Sequence, residues 1–145
     1  MYESYTRQSL PEKQYRELLG SALCVFNANN AFVVETILKC DDLNKYDWYH
    51  LIDLESGHLK GSIRQTITSR CGNEIEQLFV QLVVMRNRII HSYQITNKLG
   101  EQVLATKERI AKGNRQFEIT VEYLLKFIKM NEQLSDKLYE LRDSL

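Results

Sequence analysis

Over most of this chain apolar side chains recur at three- and four-residue steps, the spacing of helices that each bury one stripe. The first stripe is Tyr15, Leu18, Leu19, Ala22, Phe26, Phe32, Val33 and Ile37. Ser9-Leu10-Pro11-Glu12 precedes it in the order of a capping box, whose serine oxygen and glutamate carboxylate satisfy amides orphaned by the first turn. A helix is therefore expected over about residues 10–39. Asn27, Asn29 and Asn30 interrupt it; solvated positions are the preferred reading, against a kink or a polar contact between helices. Asp47 is a plausible cap for a second region, about 48–69, carrying Trp48, Leu51, Ile52, Leu59, Ile63 and Ile67. Two short helices are expected there, broken near Gly57 or Gly61, because glycine costs about 1 kcal/mol against alanine inside a helix. After the breaker Cys71-Gly72-Asn73 comes the clearest stripe: Ile75, Leu78, Phe79, Leu82, Met85, Ile89, Ile90 and Tyr93, giving a helix over about 73–93.

The period then changes. Residues 94–119 read as a short β-hairpin insertion, with turn chemistry at Asn97-Lys98-Leu99-Gly100, β-branched residues at Val103 and Thr106, and a third extended piece at Gln116–Ile119. Thr120 caps a last helix over about 120–143 with the stripe Val121, Leu124, Leu125, Ile128, Leu134, Leu138 and Leu141. The expected fold is mainly α, an up-and-down bundle of four to five helices with the hairpin inserted before the last one.

Composition narrows the setting. A chain of 145 residues is one domain. At this length roughly 68–70% of the unfolded surface can be buried, so neither metal nor disulfide is needed to hold a core. Cys24, Cys40 and Cys71 are odd in number and lack CxxC spacing, which points to a reducing compartment and a cytoplasmic protein. No uninterrupted apolar run approaches ~20 residues, so no membrane span is expected, and the charged stretch over 1–13 is unlike a signal peptide. Nineteen Lys+Arg balance nineteen Asp+Glu. That average argues against a uniformly basic coat for nucleic acid, but the segment Arg86–Arg115 holds seven basic residues against two acids, which leaves room for a small local RNA site.

Chemistry concentrates at Arg86-Asn87-Arg88-Ile89-Ile90-His91-Ser92-Tyr93. Asn87 and His91 are four apart and so share one helix face, where an amide can orient an imidazole or a common ligand. Arg86 lies about 100° round from Asn87. Together they offer an acid/base group with pKa near neutrality, a bidentate phosphate binder and an orienting amide. From spacing alone, a cation pair placed by the helix dipole is the commoner explanation.

Late in an apolar helix of a small helical chain, the run Arg86 to His91 resembles the Arg-x4-6-His signature of the HEPN superfamily, the higher eukaryotes and prokaryotes nucleotide-binding domain. Its extension through Tyr93 is similar to the Arg-x4-His-x-Tyr form in toxins of HEPN and minimal-nucleotidyltransferase toxin–antitoxin pairs. The resemblance covers about eight residues as motif and the whole chain only as architecture. It implies a homodimer and metal-independent endoribonuclease activity on RNA without a cofactor. Arg86 and His91 are then catalytic, Asn87, Arg88 and Tyr93 support or bind substrate, and an antitoxin or nucleotidyltransferase that modifies Tyr93 is a candidate partner. The insertion departs from the compact toxins, and many members of the family are noncatalytic nucleotide- or protein-binding modules. Cleavage through the RNA 2′-hydroxyl needs a base, an acid and positive charge, and a two-fold dimer supplies the second histidine that one chain lacks.

Other residues receive plainer readings. His50 and His58, with Asp53 and Glu55 between them, are taken as surface residues, and no metal site is expected. Tyr46, Trp48 and Tyr49 read as hydrophobic capping, Cys24 as core packing, and Ser92 as a poor nucleophile. Tyr93 either contacts ligand or extends the apolar stripe.

Overall fold

The structure is a computed structural model that describes residues 3–145. Among these it contains five helices and a small antiparallel sheet. Helix α1 is Lys13–Lys39, and α2 is the single turn-and-a-half Trp48–Asp53. Helix α3 runs over 56–71, passing from a 3-10 turn (Ser56–Leu59) through α (Lys60–Ile63) and π (Arg64–Thr68) geometry to a last α turn (Ser69–Cys71). Helix α4 is Glu74–Ile90 and α5 is Val121–Ser144. Strands β1 (Tyr93–Thr96), β2 (Gln102–Lys107) and β3 (Gln116–Glu118) lie in that order between α4 and α5.

Caps decide several boundaries. Asp47 accepts from the Tyr49 amide at 3.1 Å and Thr120 from the Tyr123 amide at 3.0 Å, as the side chains predict. The capping box at Ser9 does not form around α1. That helix opens at Lys13, with Glu12 as an N-cap that makes no side-chain cap bond. Arg16 instead reaches back, donating to the Pro11 carbonyl at 2.9 Å and pairing with Glu3 at 2.6 Å. The second break falls at the extended residues Leu54 and Glu55, while Gly57 and Gly61 lie inside α3. A tertiary bond fixes its position: Ser56 Oγ donates to Asn30 Oδ1 at 2.6 Å and docks the start of α3 on α1.

The three long helices α1, α4 and α5 alternate in direction along the chain. Tyr15 meets Ile119, Asn29 meets Asn131 and Phe32 meets Tyr139, so α1 and α5 run parallel. Helix α4 opposes α5, with Tyr123 at Met85 and Lys137 at Glu74. The sheet lies between the antiparallel helices α4 and α5 in the chain. Tyr15 binds it to α1, its hydroxyl donating to the Ile119 carbonyl at 2.6 Å and accepting from the Leu104 amide at 3.2 Å.

Three phenylalanines from the three long helices meet at the centre. Phe26 lies near-parallel to Phe79 (centroids 6.1 Å apart) and to Phe127 (5.9 Å). Helix α1 is long and apolar enough to suit a bilayer by length and composition; here its buried face packs on α5 and α4. Cys24, expected in the core, is exposed, and Val121 and Leu125 of the expected α5 stripe are also exposed.

Asn29 overturns its solvated reading. It is buried, donates to the Asn131 backbone carbonyl at 2.8 Å and side-chain oxygen at 3.0 Å, and accepts from Ser135 Oγ at 2.7 Å. Asn131 in turn donates to the Phe127 carbonyl at 2.9 Å. Every polar arm of this buried network has a partner, so removing one member strands the others. Asn29→Ala should therefore lower unfolding free energy by about 2–3 kcal/mol in urea titration, with Asn29 and Asn131 coupled in a double-mutant cycle. An additive cycle would contradict this account.

Candidate functional site

Helix α4 carries the signature residues to its C-terminal end and then stops. His91 is the C-cap; its amide still donates to the Asn87 carbonyl at 3.0 Å, which keeps the two residues one turn apart. Ser92 Oγ is occupied by the Ile89 carbonyl at 2.6 Å. Tyr93 departs from the expected helical stripe. It opens β1, paired opposite Ala105, and its side chain is exposed. The reversal into the sheet explains this: residues 93–96 spend their backbone bonds on β2 rather than on another helical turn.

The signature does not converge on one point within a single chain. His91 is exposed, whereas Arg86 is half-buried with its guanidinium 5.1 Å over the Phe26 ring. Five positions along a helix amount to about 140° of rotation, so the two side chains leave α4 in different directions. The Arg86 Nε is buried and has no hydrogen-bond partner among the described residues. Burial pulls the guanidinium below its ordinary value, and the negative charge of Glu55 works the other way. Asn87 shares the His91 face. Arg88 is turned toward the sheet and donates to the Lys107 carbonyl.

Asn87 and Arg88 open onto a groove of about 650 Å³ that Arg86, His91 and Tyr93 do not line. Its apolar surface comes from Val80, Val83 and Val84 of α4, with Phe117 and Tyr123 beside them. Val84 is 58% exposed, unusual for an aliphatic residue on a helix that builds the core. Lys60 rises from the α3 wall, and Arg109, Lys112 and Arg115 from the arm between β2 and β3. That arm is closed on itself by the Glu108 amide, which donates to the Arg115 carbonyl at 2.8 Å. It turns through Gly113 and Asn114, both at positive φ. Arg115 is paired with Glu108 at 3.2 Å; the side chains of Lys60, Arg109 and Lys112 have no hydrogen-bond or ion-pair partner among the described residues.

Sequence reading counted the arm's basic residues but missed Lys60 and the valine floor. The available signal was Val80, Val83, Val84 and Asn87, which lie within about 100° on α4 and outside its predicted stripe. His50, His58, Trp48 and Tyr49 are exposed, and the two aromatic rings pack edge to face, 5.4 Å apart. No group of three or more His, Cys, Asp or Glu among the described residues is placed to hold a metal ion.

The chain matches no family model, no curated protein and no solved structure.

Tyr123 links the site to the core, donating to the Met85 carbonyl at 3.2 Å. Burial pushes its phenol up to about 12 from an ordinary 10.0, against a smaller opposing pull from Arg88. The folded phenol thus ionises above the unfolded one, so its contribution to stability is full below pH 10.0 and is lost as pH rises toward about 12. Tyr15, also raised mainly by burial, adds to the same alkaline limb. Urea midpoints should fall less steeply over that range for Tyr123→Phe than for the wild type; parallel slopes would count against the assignment.

Proposed function

We propose that the chain is a metal-independent endoribonuclease of HEPN type, acting as a homodimer whose paired α4 ends combine two copies of Arg86 and His91. The observation that carries this reading is the exposed face of α4. Val84 and Ile90, 58% and 51% exposed, flank Asn87, and His91 stands exposed one turn beyond it. Such a face on a core helix gains from burial against a second copy of the chain about a two-fold axis.

In the paired site one His91 takes the proton of the RNA 2′-hydroxyl and the other protonates the departing 5′-oxygen. Arg86 supplies the positive charge that stabilises the developing phosphorane. Asn87 orients the imidazole, and Arg88 steadies substrate beside it. The products carry 2′,3′-cyclic phosphate and 5′-hydroxyl ends. Tyr93, exposed at the head of β1, is the accessible phenol for a partner nucleotidyltransferase. This reading describes a cytoplasmic toxin or phage-defence component held in check by an antitoxin.

The seating of Arg86 on Phe26 favours a second reading, a noncatalytic nucleotide- or protein-binding module in which the arginine is chiefly structural.

Labelled RNA incubated with purified protein in EDTA separates the two. Cleavage should proceed with cyclic-phosphate ends and fall about 10²–10⁴-fold in His91→Ala and Arg86→Ala. A requirement for divalent metal, or full activity in His91→Ala, would sink the nuclease. Nucleotide binding without cleavage would favour the module.

A further inference from the structure

The groove beside Asn87 has the chemistry of a protein interface. An apolar floor of branched aliphatic side chains lies between cations that rise from two separate walls, Lys60 on α3 and Arg109 and Lys112 on the arm. A stacked nucleobase is poorly served. The Phe117 ring already carries the Arg115 guanidinium at 5.1 Å and meets Tyr123 at 6.0 Å, while Phe79 is buried in the central stack. An anionic amphiphile with one head would satisfy one wall and leave the other. The fitting occupant presents apolar side chains with carboxylates on both sides of them.

One exposed surface of this chain has that composition. Residues 41–53 hold four aspartates, Asp41, Asp42, Asp47 and Asp53, against the single Lys45. Among them Leu43 is 75% exposed, Tyr49 74% and Trp48 43%. Asp42 pairs with Arg70 and Asp47 caps α2, but Asp53 is exposed and makes no ion pair among the described residues. Trp, Tyr and Arg are the side chains that most often carry binding energy, and here aromatic residues on one surface complement arginines on another.

We propose that the groove receives the acidic, aromatic shoulder 41–53 of a second copy of this chain, with Trp48 and Tyr49 on the valine floor and aspartates between the cationic walls. The contact gives the two-fold pairing described above its partner surface, but it stands on charge and shape and does not require that the pair cleave RNA.

Light scattering and sedimentation equilibrium on the full chain test it. The wild type should associate at low ionic strength. Its dissociation constant should rise about tenfold or more toward 1 M salt, where the Debye length is only ~3 Å. Arg109→Glu/Lys112→Glu and Trp48→Ala/Tyr49→Ala alter exposed side chains, so circular dichroism should be unchanged. Each should weaken self-association by about tenfold or more. Mixed together, the two variants should pair more tightly than either does alone, since the mixed pair keeps one of its two contacts intact. The proposal is overturned if the wild type stays monomeric, if either variant alone keeps the wild-type mass, or if the mixture pairs no better than either variant alone. It is equally overturned if only the groove variant loses affinity and the ligand lost is a labelled RNA oligonucleotide. His91→Ala should associate normally while losing cleavage, so failure of this contact and failure of the nuclease are told apart.

Discussion

The Phe26 ring is the constraint on which both the core and the candidate site depend. It comes from the middle of α1, stacks with Phe79 of α4 and Phe127 of α5, and carries the Arg86 guanidinium. A cation held over a desolvated ring gains about 2 kcal/mol or more, comparable to the ~1–3 kcal/mol cost of leaving a buried donor such as Nε unpaired. The arginine is thereby tolerated without a direct carboxylate partner, and Glu55 contributes only at longer range. One consequence is geometric. The first residue of the signature is tied to the packing of three helices, whereas the side chain of His91, at the cap, is exposed.

The insertion gives α4 its surroundings. Antiparallel pairing from Tyr93 to Thr96 with β2 ends the helix at His91, and the Tyr15 hydroxyl locks β2 and the end of β3 to α1. Arg88 then fastens the α4 end to Lys107, where the basic arm begins. The hairpin is consequently more than a connection between α4 and the antiparallel helix α5. It sets one wall of the groove and determines which face of α4 is left open.

What was legible in the sequence was local. The α1 stripe, most of the α5 stripe, the caps at Asp47 and Thr120, and the turn at Asn97–Gly100 each depend on neighbours within a few residues, and each appears in the structure. The misreadings share the opposite property. Asn29 looks like an interruption until Asn131 and Ser135, more than a hundred positions later, supply its partners. Phe127, left out of the predicted α5 stripe, is placed at the centre by Phe26 on another helix. The break at Leu54 is set by Ser56 meeting Asn30 rather than by either glycine. At the site, Asn87 and His91 lie one helical turn apart, as their spacing requires, but the burial of Arg86 depended on a ring sixty residues upstream.

Charge follows the same logic of placement over composition. A balanced chain of nineteen basic and nineteen acidic residues would present a featureless field if the signs were interspersed. Here they are separated: basic residues of the arm and Lys60 line one apolar groove, and the segment 41–53 carries four aspartates together with the exposed Trp48 and Tyr49. Screening limits such fields to about 8–10 Å at ordinary ionic strength, so the whole-chain sum says little about what either surface attracts. Each surface meets an approaching molecule with its own local sign and its own apolar area. The zero total is therefore compatible with two charged surfaces of opposite sign, each with hydrophobic side chains among its charges, which is the complementarity that the proposed contact between copies would use.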